Sequence, residues 1–177
     1  GIIVLDEDDC MVRIARFFLN FTQEESCGKC TFCRLGTRHM FRILDDIIRG
    51  KGEMGQLETL RRLAEDIKIG SLCNLGKTAP NPVLTTLRYF FDEYRAHISE
   101  KRCPALSCPE LTVYFIEPKR CSKLCNVCIG SCPVEAIFTR DDGLKAIDQE
   151  KCVKCDNCLK ACPPDYSAVI KLSPLSL

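Results

Sequence analysis

The chain of 177 residues carries fifteen cysteines, yet its 46% hydrophobic and 28% charged side chains can build an ordinary core without disulfide stapling. The odd cysteine count, and the absence of a basic, apolar and small-residue cleavage pattern at the start, point to metal-bound thiolates in a reducing, cytoplasmic compartment. With 25 basic and 24 acidic residues the formal charge of +1 gives no case for nucleic acid, and no run approaches the roughly eighteen apolar residues needed for membrane insertion.

The opening Gly1-Ile2-Ile3-Val4-Leu5 has no initiating Met and reads as the end of a strand from something upstream, so the chain is expected to be a fragment. Residues 8–100 then follow a helical period, with Leu57, Leu60, Ala64 and Ile67 on one stripe and Val83, Leu87, Phe90, Phe91, Tyr94 and Ile98 on another. The expected elements are helices over about 9–20, 31–49, 56–68 and 82–98, forming a small four-helix bundle, with a short helical turn around 22–30. Asp8 or Asp9 would cap the first helix, Thr22 and Glu25 fit a capping box, and Asn81-Pro82 supplies a cap followed by a proline. Gly50 and Gly70 sit where helices should stop.

Residues 101–118 form an expected connector with Pro104, Pro109 and Pro118 and one β-prone run, Leu111 to Ile116. Beyond it lies an internal repeat. Cys125, Cys128 and Cys132 recur 30 residues later as Cys155, Cys158 and Cys162, whereas Cys121 recurs 31 later as Cys152. The first copy therefore holds one extra residue between Cys121 and Cys125, and a proline, Pro133 or Pro163, follows each copy.

The second copy, C-x2-C-x2-C-x3-C-P, is the run of bacterial two-cluster ferredoxins. Three thiolates on one tight loop take three corners of a cube, while the fourth cysteine points to the other cube. Cys121, Cys125, Cys128 and Cys162 are thus expected to hold one 4Fe-4S cluster, and Cys152, Cys155, Cys158 and Cys132 another. A pair of zinc sites is the alternative, but zinc takes ligands in pairs, whereas each copy offers a triplet plus a lone cysteine. The extra residue leaves Cys121 the ligand that departs from the usual spacing.

A third constellation lies in the helical region. Cys27, Cys30 and Cys33 form C-x2-C-x2-C between Glu25 and Arg34, and Cys73 follows forty residues after Cys33, between Gly70 and Gly76. Such a loop at a helix start favours a negatively charged cluster, and Gly28 lets the backbone pass close to it. Lys29, Arg34 and Arg38 add positive charge nearby, with helix-surface solvation as the ordinary reading.

The stretch Glu25 to Arg34, with Ser71-Leu72-Cys73 and the run 80–90, resembles the C-terminal cluster domain of the flavin-bearing, NADH-binding subunit of respiratory complex I. The resemblance implies that Cys27, Cys30, Cys33 and Cys73 bind a 4Fe-4S cluster that takes electrons from FMN. Continuation into a ferredoxin-like module is similar to the beta subunits of multimeric NAD(P)-linked FeFe hydrogenases, including electron-bifurcating ones, and of formate dehydrogenases. It implies an α+β chain, with a helical cluster domain (1–100), a connector (101–118) and a two-cluster ferredoxin-like domain (119–177). FMN and NAD(P) are expected on an upstream domain only, because no glycine-rich nucleotide loop occurs here. The implied partners are other subunits of a hydrogenase or formate dehydrogenase complex, and ferredoxin. The rival reading is a freestanding ferredoxin-like carrier or docking module.

Cys103 and Cys108 remain, and with His97 they offer three ligands of a zinc site bridging the two domains. The fourth ligand is left to a carboxylate, water, another subunit or a redirected Cys121. Two reduced thiols in a connector are the alternative. Cys10, beside Met11 and Ile14, reads as a small buried hydrophobe without a role, and Phe90, Phe91 and Tyr94 read as core.

Overall fold

The computed structural model describes residues 2–174. The chain packs as two units, one ending at Leu111 and one beginning at Thr112, so the expected connector is divided between them.

In the first unit, α1 (Met11–Glu25), α2 (Thr37–Ile48) and α3 (Gly55–Gly70) bury stripes three and four residues apart. Val12, Ala15 and Leu19 meet Met40, Leu44 and Ile47, and Leu60, Ala64 and Ile67 close the same core. A π-helical turn, Phe32–Gly36, runs directly into α2. A short helix absent from the sequence expectation, α4 (Asn74–Thr78), starts after Cys73, with Cys73 as its N-cap. The expected helix over 82–98 breaks into α5 (Asn81–Tyr89) and α6 (Phe91–Ser99) at Phe90, whose φ of −127° and ψ of 34° leave the helical region. The break puts Phe90 44% in solvent, while Tyr94 is buried and exchanges a 2.8 Å hydrogen bond with Thr86 across it.

Two expected caps also differ. Thr22 lies inside α1 with its hydroxyl donating to the Phe18 carbonyl, because the helix continues to Glu25. Neither Asp8 nor Asp9 caps α1. Its N-cap is Cys10, and the Met11 N–H donates at 3.0 Å to the Glu93 carboxylate of α6. Residues 2–5 form no strand.

The second unit repeats strand, cysteine loop, short helix and strand. The first copy carries β1 (Val113–Ile116), α7 (Val127–Ser131) and β2 (Ile137–Thr139), and the second carries β3 (Lys145–Ile147), α8 (Asn157–Ala161) and β4 (Val169–Leu172). Each copy pairs with the other. β1 runs antiparallel to β4, with Ile116 opposite Val169, and β2 runs antiparallel to β3, with Thr139 opposite Lys145. Tyr114, Ile116, Ile137, Val169, Cys128 and Cys158 form the core between them. The architecture is α+β, mostly helical with two small sheets.

Candidate metal centres

The first motif occupies the turn between α1 and α2. Gly28 adopts φ +72°, a conformation open to glycine, and lets the chain reverse before Cys30. Arg34 donates to the Gly28 carbonyl at 2.9 Å and braces that reversal, which gives it a structural task beyond surface solvation. Cys33 is buried in the π-helical turn, Cys30 is half-buried, and Cys27 and Cys73 are exposed. The Ser26 hydroxyl lies 3.3 Å from the Cys33 sulfur and accepts from the Gly28 N–H. Gly76 of α4 brings the Cys73 loop against this place, since a β-carbon there would stand 2.6 Å from the Ser71 hydroxyl and 3.4 Å from the Cys33 β-carbon.

Ser71 is 2% exposed, and its hydroxyl has no partner among the described residues. A buried hydroxyl left unpaired beside Cys33, two residues before Cys73, fits a site whose sulfur-rich occupant accepts that bond.

The repeat builds two small cavities. Cys121, Cys125, Cys128 and Cys162 line the first, and Cys152, Cys155, Cys158 and Cys132 line the second. The crossed arrangement follows from α7 and α8, whose ends carry each fourth cysteine toward the neighbouring loop. Matching N–H groups point at those sulfurs: Ala168 donates to Cys162 and Ala136 to Cys132, each at 3.3 Å. Burial, reinforced by the neighbouring sulfurs, raises the Cys128 thiol and pushes Cys158 up to about 11. Four thiolates in one such cavity need a cationic core, and the donor set fits an iron–sulfur cube. The extra residue of the first loop is accommodated by an outward bulge, with Leu124 92% exposed and the Lys123 carbonyl turned in to the Lys145 ammonium at 2.8 Å.

A fourth constellation joins residues far apart in sequence. Cys10, His97, Cys103 and Cys108 place their ligand atoms within 4.8 Å of one another. Cys10 is 1% exposed and the other three are 0% exposed. His97 Nε2 lies 3.3 Å from the Cys10 sulfur and 3.4 Å from that of Cys108, and Cys108 lies 3.7 Å from Cys10. On the other side of the ring, Nδ1 is 2.7 Å from the Glu93 carbonyl, which only accepts, so Nδ1 carries a proton and Nε2 is the nitrogen that faces the sulfurs. The loop bearing Cys103 and Cys108 turns at Leu106, whose N–H returns to the Cys103 carbonyl, and the Arg13 guanidinium of α1 donates to Ser107.

Cys10 is buried in the core as expected, and the structure adds it to His97, Cys103 and Cys108 as a fourth potential donor; all four lie in the first unit, so this group does not bridge the two. Burial opposes charge on His97, but the Cys10 and Cys103 sulfurs outweigh it and carry its pKa up to about 10. Cys103 is held far down by its sulfur neighbours, while those neighbours push Cys108 up. Three thiolates cannot coexist here without a cation to offset them.

Residues 13–97 match the family described as NADH-ubiquinone oxidoreductase-F iron-sulfur binding region. The NADP-reducing hydrogenase subunit HndC of Solidesulfovibrio fructosivorans is 50% identical over 137 residues, 77% of this chain and 28% of that subunit. An NADH-quinone oxidoreductase subunit of Streptomyces coelicolor is 43% identical over 99 residues, 56% of this chain and 22% of that protein. A crystal structure of an NAD+-reducing [NiFe]-hydrogenase in its H2-reduced state superposes with a TM-score of 0.52 at 33% identity, covering 54% of this chain and 16% of that one. The chain thus spans about a quarter of the length of these two curated relatives. Residues 13–97 thus carry the likeness to the NADH-ubiquinone oxidoreductase-F iron–sulfur binding region, on a chain similar to subunits of NADP- and NADH-linked oxidoreductases.

Proposed function

We propose that this chain is the electron-relay segment of a multisubunit NAD(P)-linked oxidoreductase, passing single electrons between a flavin site and a hydrogenase or formate dehydrogenase partner or ferredoxin. The observation that carries the reading is the crossed lining of two separate cavities by four cysteines each, on a chain whose other unit carries the family-matched motif. When bound, a 4Fe-4S cube takes up and gives back one electron at a time. In this reading Cys27, Cys30, Cys33 and Cys73 hold the cube that faces the flavin. The two crossed sets hold the pair of a ferredoxin-like domain, with the Ala136 and Ala168 N–H groups stabilising negative charge on Cys132 and Cys162. The chain's own residues perform no acid, base or nucleophilic step. FMN and NAD(P) bind outside these residues, and the reduced thiols suit a cytoplasmic setting.

Cys10, His97, Cys103 and Cys108 form a structural zinc site in the same reading. Three sulfurs and one imidazole, all closed to solvent, are the donor set of a four-coordinate structural zinc with no open position for chemistry. Its task is to tie the start of α1 and the end of α6 to the loop that leaves the helical unit.

Anaerobic reconstitution tests both parts. On the order of twelve iron and twelve sulfide per chain are expected, with three one-electron waves in a redox titration monitored by electron paramagnetic resonance, beside one zinc that resists iron chelators. Zinc in place of iron at the crossed sites, or fewer than two reducible clusters, overturns the relay.

A further inference from the structure

The two crossed cavities are built alike but are not charged alike. Aligning the two copies in sequence through Cys121 and Cys152, 31 residues apart, sets Ile116 of β1 on Ile147 of β3 and therefore Tyr114 on Lys145. Tyr114 lines the cavity of Cys152, Cys155, Cys158 and Cys132. Lys145 reaches the other loop, donating at 2.8 Å to the carbonyl of Lys123, between Cys121 and Cys125, and at 3.1 Å to Gly143. It is 4% exposed and makes no ion pair among the described residues. Asp142, the carboxylate of the adjoining turn, faces Arg140 at 3.8 Å and accepts from the Leu144 N–H. Beside the second cavity, Lys171 lies over the Tyr114 ring and pairs with Asp156, which lines that cavity, at 3.1 Å.

A buried ammonium satisfied only by neutral carbonyls carries a large desolvation cost unless an anion stands near. We infer that Lys145 is the positioning residue that latches the lengthened Cys121–Cys125 loop and supplies the counter-charge for the cluster held by Cys121, Cys125, Cys128 and Cys162, setting its reduction potential above that of its twin. The inference rests on the crossed cluster reading. A fixed positive charge favours the reduced, more negative cube, so the electron resides mainly on this cluster and the twin is the less occupied step. The one-residue insertion is thus the means by which the loop carbonyl meets the lysine.

The test is a redox titration of the reconstituted full chain, wild type against Lys145→Met, which keeps the aliphatic stem and removes the charge. The expected result is full iron content with one wave moved to lower potential by about a tenfold change in electron occupancy, about 59 mV for one electron, and the other two unmoved. Lys145→Arg should leave all three waves in place. Where Lys145→Met loses iron, Lys145→Gln and Lys145→Arg decide: recovery by Arg alone supports the counter-charge, and equal recovery by Gln overturns it. Unmoved waves in an iron-replete Lys145→Met protein overturn the inference while the relay stands, whereas an iron-poor wild type sinks the relay itself.

Discussion

The sulfur of Cys10 and Nε2 of His97 stand 3.3 Å apart across 87 residues of sequence, and the proton on the far side of that imidazole is fixed by the Glu93 carbonyl. Glu93 also caps α1 through Met11, one residue after Cys10, so one helical turn of α6 holds both the ligand ring and the end of the helix that carries its partner. Replacing Cys10 with Ala is expected to lower zinc from one per chain to well below that. Leaving the other donors buried without their ion should cost about 1–3 kcal/mol of stability. Elemental analysis and a urea melt check both, and unchanged zinc with a small loss of stability would return Cys10 to a packing role.

Ligand crossing makes an unusual genetic signature. Cys162→Ser lies in the second copy, yet it should alter the spectrum of the cluster that Cys125→Ser alters and leave intact the one that Cys155→Ser alters. Paramagnetic spectra of the three variants decide the matter, and grouping of Cys162 with Cys155 contradicts the crossing.

Ser71 offers a sign test. In cluster-free protein its hydroxyl is buried and unpaired, so Ser71→Ala should be neutral or stabilise by about 1 kcal/mol. In cluster-loaded protein the same change removes a donor to sulfur and should speed the loss of iron to a chelator. Equal effects in both forms would show that the hydroxyl does not face the cluster.

At the break between α5 and α6, Tyr94→Phe removes the bond to Thr86, whose hydroxyl still has the Pro82 carbonyl to donate to at 2.8 Å. Destabilisation of about 1 kcal/mol in a denaturant titration is expected, with iron and zinc contents unchanged.

Spacing and periodicity carried the reading where chemistry is local. The cysteine triplets, the proline after each fourth cysteine and the apolar stripes of α1, α2 and α3 all act within a few turns of chain. What escaped is non-local. Nothing around Cys10 marks it as a candidate donor, because its neighbours arrive from α6 and the loop after it; only the arithmetic hints at it, since the twelve cysteines expected in three sets of four leave Cys10, Cys103 and Cys108, which meet one buried histidine. Phe90 continues a helical period that the backbone abandons there, an outcome tied to the Thr86 to Tyr94 contact and invisible to propensity. Thr22 and Glu25 match a capping pattern but sit one helix too early, since α1 ends only where Ser26 turns toward Cys33.

The pairing of β1 with β4 has a consequence for biosynthesis. The strand that opens the second unit finds its hydrogen-bonding neighbour only in residues 169–172, whereas β2 meets β3 across a short turn. On the ribosome β1 therefore has no strand to join until nearly all of this segment has emerged, and loop closure of that span comes late in folding. A chain terminated before β4 leaves β1 unpaired and the cavity of Cys121, Cys125, Cys128 and Cys162 without the Ala168 and Val169 that line it.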